Sequence, residues 1–274
     1  MTNSSLNVSI YQILVDKLSV IRKRRRFIIS SASLTLIITF ATFLGFQNLP
    51  VSLPILIIAV YLATFFAILE GITDKEWLML FIHPVGFTIA FYLFYFFLPG
   101  RWLTRLPFAV LYSISIYAIL LSQNIFNVGV EKSLQLFRAA SSVNFLYLTI
   151  TLFMSLSLLF SFHLNFITNG FVTFLVCLPA ILHFLWSVDP CEYVSREIIK
   201  NAFFVATILG ETAVIFSFVP LNPAMFALLV TALFYCLSGL LQAYMQGRLF
   251  KTVMREYVFV FLFIVTILLL SLQW

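Results

Sequence analysis

Residues 22–46 read RKRRRFIISSASLTLIITFATFLGF, a run of basic residues followed by an apolar stretch. The apolar part has about 20 residues, the length that an α-helix needs to cross the hydrocarbon core of a bilayer. The whole chain has the same character, because 62% of its 274 residues are hydrophobic and only 9% are charged. A soluble domain carries roughly 25% charged residues, so this composition excludes an ordinary soluble fold.

Nine apolar stretches are long enough to span a membrane. They cover residues 27–46, 50–69, 77–98, 106–126, 139–162, 169–188, 201–219, 222–246 and 257–273. A segment in hydrocarbon has to satisfy its own backbone hydrogen bonds, so we expect each stretch to be helical. The predicted fold class is all-α: a polytopic transmembrane helix bundle of about nine spans at 27–274, with no soluble domain. A cytoplasmic amphipathic and basic segment at 1–26 precedes it.

The positions of Lys and Arg predict the orientation of these spans. If the N-terminus is cytoplasmic, fourteen of the sixteen Lys and Arg residues fall in cytoplasmic segments, and only Arg101 and Arg105 lie outside. Such an excess of cytoplasmic positive charge is typical of membrane proteins. We therefore expect a multi-pass membrane protein with a cytoplasmic N-terminus and an external C-terminus. Every Asp and Glu except Glu211 also lies on the cytoplasmic side, which disfavours an enzyme with carboxylate chemistry on the outer face.

The N-terminal segment has two interpretations. Apolar residues from Leu6 to Ile21 share one helical face, and a basic run follows them. An amphipathic helix with a polybasic end binds anionic lipid headgroups. Alternatively, the basic residues only orient the first span, and both interpretations are compatible. The lipid-binding candidates are Arg22, Lys23, Arg24, Arg25 and Arg26.

Glu211 is the one acidic residue that we expect deep inside the membrane. It lies about 16 Å along its helix from Lys200 at 1.5 Å per residue. An ionisable group at this depth is by default a functional candidate, here a proton carrier or a cation ligand. Apolar surroundings favour the neutral carboxyl, so the alternative is a protonated side chain that hydrogen-bonds a neighbouring helix.

A polar stripe runs along the helix that follows Glu211. Its residues are spaced by four, three and four positions, beside Gly239, and the short turn at Pro220 predicts that Glu211 lies near Thr231 or Tyr235. Such a stripe lines a cavity or packs against another helix, and hydroxyl side chains often bond only their own helix. The intramembrane polar candidates are Glu211, Thr207, Thr231, Tyr235, Ser238, Gln242, His83 and His183.

His83 and His183 lie in the cytoplasmic halves of the third and sixth spans. Together with Glu211 they are the members of a hypothetical proton relay, although lone histidines on apolar helices more often bond a backbone or hydroxyl partner. The three cysteines show no metal-ligand spacing. No phosphate-binding loop or catalytic motif is present. The sequence therefore predicts no metal, no cofactor and no nucleic-acid partner.

Four short stretches carry a resemblance to a known group of proteins. They are Arg101–Pro107, Gln246–Phe250, Arg255–Tyr257 and Gly210-Glu211. In these stretches the chain resembles a family of uncharacterised multi-pass proteins from bacteria with very small genomes. The resemblance implies a bacterial inner membrane and no assigned activity.

Two functions of different classes agree with these observations. The first is a transporter or channel-like protein for a small solute, ion or lipid, with Glu211 facing a central cavity. The second is a non-catalytic scaffold or subunit of a larger membrane complex, with protein partners at the cytoplasmic loops. The sequence favours an enzyme least, because active groups would have to lie near His83, His183 and the inner loops. The position of Glu211 distinguishes the first two functions.

Overall fold

A computed structural model describes residues 21–69, 77–98, 102–128, 135–190 and 193–271. Within these ranges nine helices are long and apolar enough to cross a membrane, which confirms the predicted all-α bundle. The amphipathic part of the N-terminal segment, Arg101, Lys132 and Trp274 lie outside the described residues. No orientation relative to a bilayer follows from the helices themselves, so the cytoplasmic N-terminus stays a prediction.

The chain divides into two compact units, residues 1–140 and 141–274. The first contains α1 to α4 and the first turn of α5, and a short 3-10 helix, Phe46–Asn48, precedes α2. The second contains the rest of α5 and the remaining four helices. The bounds are α1 Lys23–Leu44, α2 Leu49–Ile68, α3 Trp77–Tyr95, α4 Trp102–Val128, α5 Gln135–Ser161, α6 Phe166–Val188, α7 Arg196–Phe216, α8 Pro223–Met245 and α9 Lys251–Ser271.

Hydrogen bonds between buried side chains connect the helices of the first unit. The hydroxyl groups of Thr88 on α3 and Tyr112 on α4 are 2.9 Å apart. The single proton of the Tyr92 hydroxyl, also on α3, is shared between two acceptors within reach, the carbonyl of Ala41 on α1 at 3.2 Å and the hydroxyl of Ser52 on α2 at 3.0 Å. Inside an apolar bundle such bonds hold neighbouring helices in register.

Side-chain caps start three helices of the second unit. The Asn165 side chain accepts from the Thr168 amide at the start of α6, and Ser195 accepts from the Ile198 amide at the start of α7. Asn222 caps α8 and is followed by proline at the first helical position. A cap satisfies one of the amide groups that a helix leaves unpaired at its start, so these residues determine where the helices begin.

The second unit packs through glycines and aromatic rings. The ring of Phe145 on α5 stacks at 4.5 Å on Phe184 of α6 and at 4.8 Å on Tyr235 of α8. The last helix, α9, contacts α8 where Tyr257 covers Gly239, leaving no room there for a larger residue. Most other side chains of α9 are exposed, so this helix lies at the edge of the unit.

Candidate functional site

Glu211 lies on the outward face of α7, where its side chain is exposed. It lies one residue, about 1.5 Å along the helix axis, from the middle of the apolar stretch 201–219. Large apolar side chains surround it on the same face, and Phe204, Ile215 and Phe218 are all exposed. The outward face of α7 is defined here by Phe204, Glu211 and Ile215 of the helix, together with Phe218 in the turn that follows Phe216.

A close contact between two glycines explains why Glu211 points outward. A Cβ atom at Gly210 would lie 3.0 Å from the carbonyl oxygen of Gly170 on α6 and 3.3 Å from the Cβ of Phe174. Position 210 therefore faces α6, and small residues such as Ala206 and Ala213 extend the same buried face. Because successive residues of an α-helix are about 100° apart, the next residue, Glu211, is turned away from this contact.

The predicted meeting of Glu211 with α8 is not found among the described residues. Thr231 is only 4% exposed and lies inside the second unit, whereas Glu211 is on its surface. Tyr235 is half-buried, and its ring packs against Phe145 and against Tyr257 at 5.6 Å. The expectation failed because the antiparallel arrangement of two helices determines the depth of a residue but not the direction of its side chain.

Most of the other candidates on α7 and α8 either bond their own helix or are buried inside the second unit. Thr207 donates to the carbonyl of Phe203 in its own helix at 2.9 Å. Ser238 is fully buried, and its hydroxyl, like that of Thr231, has no hydrogen-bond partner among the described residues. Gln242 is half-buried near the end of α8. The stripe thus lies mainly within the unit, and Glu211 is separate from it.

His183 belongs to a buried polar network between α5 and α6. Its Nε2 atom lies 3.2 Å from the Asn144 side-chain oxygen, and the Asn144 amide donates to the Ser187 hydroxyl at 3.3 Å. Ser187 in turn donates to the carbonyl of Phe184. Sequence reasoning did not pair His183 with Asn144. The pairing agrees with the simpler interpretation of this histidine, a buried side chain satisfied by polar neighbours.

The proposed relay of His83, His183 and Glu211 does not form within the second unit. His83 is buried in the first unit, on α3. His183 is fully buried and Glu211 is exposed, so the two members that share a unit have opposite surroundings. Among the described residues no group of three or more His, Cys, Asp or Glu side chains is arranged to hold a metal ion.

The basic run divides into exposed and buried residues. Arg22, Arg24 and Arg25 are exposed, and Lys23 is partly exposed at the start of α1. Arg26 is only 1% exposed, which leaves its guanidinium unable to contact headgroups at the surface. The first four residues therefore remain candidates for lipid binding, whereas Arg26 is part of the first unit's interior.

Arg105 is also held by its own unit. Its Nε donates to the Tyr95 hydroxyl at 2.8 Å, and its guanidinium lies 3.8 Å from the centre of the Phe43 ring. The contact joins the start of α4 to the ends of α1 and α3. This cation–π and hydrogen-bonded position gives the arginine a structural role.

Comparison with known proteins places the chain in a family without giving it an activity. No curated protein and no solved structure matches the chain. The match to a family model covers residues 130–271, slightly more than half of the chain, and these residues include Glu211, the His183 network and all of α6 to α8. The expected resemblance to uncharacterised proteins agrees with this match, while an origin in small-genome bacteria stays a prediction. The chain belongs to the family described as protein of unknown function (DUF5656).

Proposed function

We propose that the protein is a non-enzymatic subunit of a membrane complex and that it binds a partner transmembrane helix through the outward face of α7. The observation that carries this proposal is the exposed position of Glu211 near the middle of an apolar helix. Lipid chains offer no hydrogen bond to a carboxyl group, and a charged side chain at this depth costs about 3 kcal/mol. A partner helix that presents a donor removes this penalty.

The surroundings of Glu211 support an intermolecular contact over an internal one. Thr207, one turn earlier on the helix, already bonds the backbone of Phe203. The remaining outward neighbours, Phe204 and Ile215, are apolar. The face therefore combines one polar group with a large apolar surface, as expected where two transmembrane helices associate through a polar side chain.

The charge distribution favours a different protein as the partner over a second copy. Every described Lys or Arg of this chain lies within the first five residues of a helix or outside the helices. A second copy with the same orientation would thus bring only a second carboxyl, and no described cation, to the depth of Glu211. A helix from another protein with Arg, Lys or a hydroxyl donor near its middle fits this position better.

Transport is the second candidate function, supported by the buried hydroxyl groups of Thr231 and Ser238, which bond no side chain or backbone group in the described part of the chain. Polar groups inside a bundle are used to line a pathway as well as to pack helices. Glu211, the expected ion-binding residue, is not among them, because it faces outward. The subunit function accounts for Glu211, and transport does not.

Photo-crosslinking in native membranes tests the proposal. A crosslinking amino acid at Phe204 or Phe218, on the outward face of α7, should capture a discrete partner protein. The matched control is Phe259 on α9, which is as exposed (71%, against 67% and 70%). Its nearest acidic neighbour on the helix, Glu256, lies close to the start of α9 and not near the middle of a span. Phe259 should yield no protein partner of that mass.

Two substitutions at Glu211 identify the nature of the contact. Glu211→Leu should abolish the crosslink from Phe204 without lowering the thermal stability of the isolated protein, because Glu211 bonds no described residue. Glu211→Gln should keep the crosslink if the neutral acid is bound and lose it if the partner supplies a cation. An unchanged crosslink in Glu211→Leu, or no protein captured from either α7 position, would contradict the proposal.

A further inference from the structure

A cavity of about 550 Å³ lies where four helices of the second unit end or begin. It is formed by the last residues of α5, the start of α6, the end of α7 and the start of α8. We call it the helix-end cavity. The lining residues used below are Phe160, His163, Asn169, Ser217, Asn222 and Phe226. Its volume is in the range of small-molecule binding sites, and Glu211 is not part of it.

Asn169 is the central polar residue of the helix-end cavity. Its side chain is only 6% exposed, and its amide nitrogen donates to the Leu164 carbonyl and to the Ser217 hydroxyl, both at 3.2 Å. Ser217 donates its own proton to the Ala213 carbonyl at 2.6 Å. The Asn169 side-chain oxygen is buried and accepts no hydrogen bond from any described residue. Buried acceptors are nearly always paired, and none of the described residues donates to this oxygen, so a bound ligand is a suitable donor.

Apolar and aromatic surface forms the rest of the wall. The rings of Phe160 and Phe226 stack face to face at 3.8 Å, and both side chains are buried. A rigid aromatic wall beside a few placed polar groups is typical of small-molecule sites. The exposed His163 and the capping residue Asn222 add two further polar side chains to the lining.

Among the described residues, the lining of the helix-end cavity has no acidic side chain and no basic side chain other than His163. Its lining includes no Asp, Glu, Lys or Arg, and the connecting residues 162–165 and 217–222 contain none in the sequence. A phosphate or an ammonium group would enter without a counter-charge, which is unfavourable away from bulk water. The lining therefore selects for an uncharged ligand that donates hydrogen bonds.

We propose that the helix-end cavity binds an uncharged, hydroxyl-bearing group, that is, a sugar or polyol. A ligand hydroxyl donates to the Asn169 side-chain oxygen, and the carbon skeleton packs against Phe160 and Phe226. Two sources carry this chemistry, a free sugar and the headgroup of a glycolipid. This site is independent of the partner helix proposed for α7.

The test uses the full-length protein in nanodiscs of phosphatidylcholine, whose headgroup has no hydrogen-bond donor. One arm adds glucosyl diacylglycerol and measures the lipid retained per protein by native mass spectrometry. A second arm adds phosphatidylglycerol, which carries hydroxyl groups but also a negative charge. A third arm adds soluble methyl glucoside and detects binding by saturation-transfer NMR.

Three variants connect the binding to the cavity. Asn169→Ala removes the acceptor and should weaken binding about tenfold, as expected for one lost hydrogen bond. Leu164→Trp fills the cavity from a position that is 37% exposed, keeps the Leu164 carbonyl that Asn169 uses, and should abolish binding even if Asn169→Ala does not fold. Asn165→Ala is the matched control, because it removes the cap of α6 in the same connection but does not line the cavity. It should bind as the unchanged protein does.

Each outcome decides the proposal. Binding of the glucosyl lipid alone identifies a glycolipid headgroup, and binding of the soluble glucoside identifies a free sugar; both support the site when Leu164→Trp abolishes them. The proposal is overturned if neither ligand binds. It is also overturned if Leu164→Trp binds as well as the unchanged protein does, or if the protein retains more phosphatidylglycerol than glucosyl lipid.

Discussion

Replacing Gly170 with alanine should destabilise the second unit, although alanine is normally the better helix residue. A Cβ at position 170 would collide with a methyl group of Val214 and would lie 3.0 Å from the carbonyl oxygen of Gly210. Non-bonded contacts of carbon are most favourable at about 3.5–4.0 Å. The carbonyl belongs to the backbone of α7, so relief requires α6 and α7 to separate by roughly half an ångström.

The expected magnitude follows from two opposing terms. Overpacking of this kind lowers the free energy of unfolding by about 1–3 kcal/mol. The higher helix propensity of Ala relative to Gly raises it by up to about 1 kcal/mol. We expect Gly170→Ala to lower the free energy of unfolding by about 1–2 kcal/mol in total. The matched control is Gly86→Ala on α3, where a Cβ would meet no atom within 4 Å. That variant should gain up to about 1 kcal/mol.

Reversible unfolding in mixed micelles, titrated with sodium dodecyl sulfate, measures both changes. The unfolding free energy of Gly210→Ala should lie between those of the other two variants. Its added Cβ would lie 3.0 Å and 3.3 Å from its two nearest atoms and would not collide with either. Gly170→Ala unfolding at the same detergent fraction as Gly86→Ala would refute the close contact between α6 and α7. It would also remove the reason given above for the outward position of Glu211.

Three further predictions concern orientation and internal packing. Reporter fusions after Lys132 and Lys200 should both be cytoplasmic, and an external signal from either would break the predicted alternation of the spans. Replacing all residues of 22–26 with Gln should give mixed or inverted insertion in a protease-protection assay, whereas unchanged orientation would show that this run does not set the topology. Asn144→Leu removes the centre of the buried network and should lower stability by about 1–2 kcal/mol. Thr149→Val, whose hydroxyl bonds only its own helix, should change thermal stability much less, and equal effects would contradict a stabilising network.

The spans were predictable from the sequence because hydrocarbon thickness imposes their length. The prediction was least accurate where polar residues continue a helix beyond the apolar stretch. The ninth span was expected to begin at residue 257, yet α9 begins at Lys251, because the basic turn before the apolar part is helical as well. The fifth span was likewise expected to begin at residue 139, whereas α5 begins at Gln135.

The direction of each side chain was not predictable from hydrophobicity. Lipid chains and neighbouring helices are equally apolar. The lipid-facing and buried sides of a transmembrane helix are therefore equally hydrophobic, and hydrophobicity does not distinguish them. Small residues carry that signal instead: on α7, Ala202, Ala206, Gly210 and Ala213 all lie on the buried face. Their spacing of three to four positions would have placed Glu211 outside. The helix-end cavity was not predictable in this way, because it is formed by two connections and four helix ends that are distant in sequence.

The neighbouring residues Gly210 and Glu211 connect the packing of the second unit to its proposed partner. Because Gly210 lies against the backbone of Gly170, α7 has little freedom to rotate. The direction of Glu211 is therefore set by a contact about 100° away around the helix. A substitution that separates α6 from α7 should then weaken capture of the partner even when the protein stays folded. A substitution of Glu211 itself should weaken capture and leave the unfolding free energy unchanged. Stability and partner binding should therefore change together in Gly170→Ala and separately in Glu211→Leu, a contrast that a purely internal role for Glu211 cannot produce.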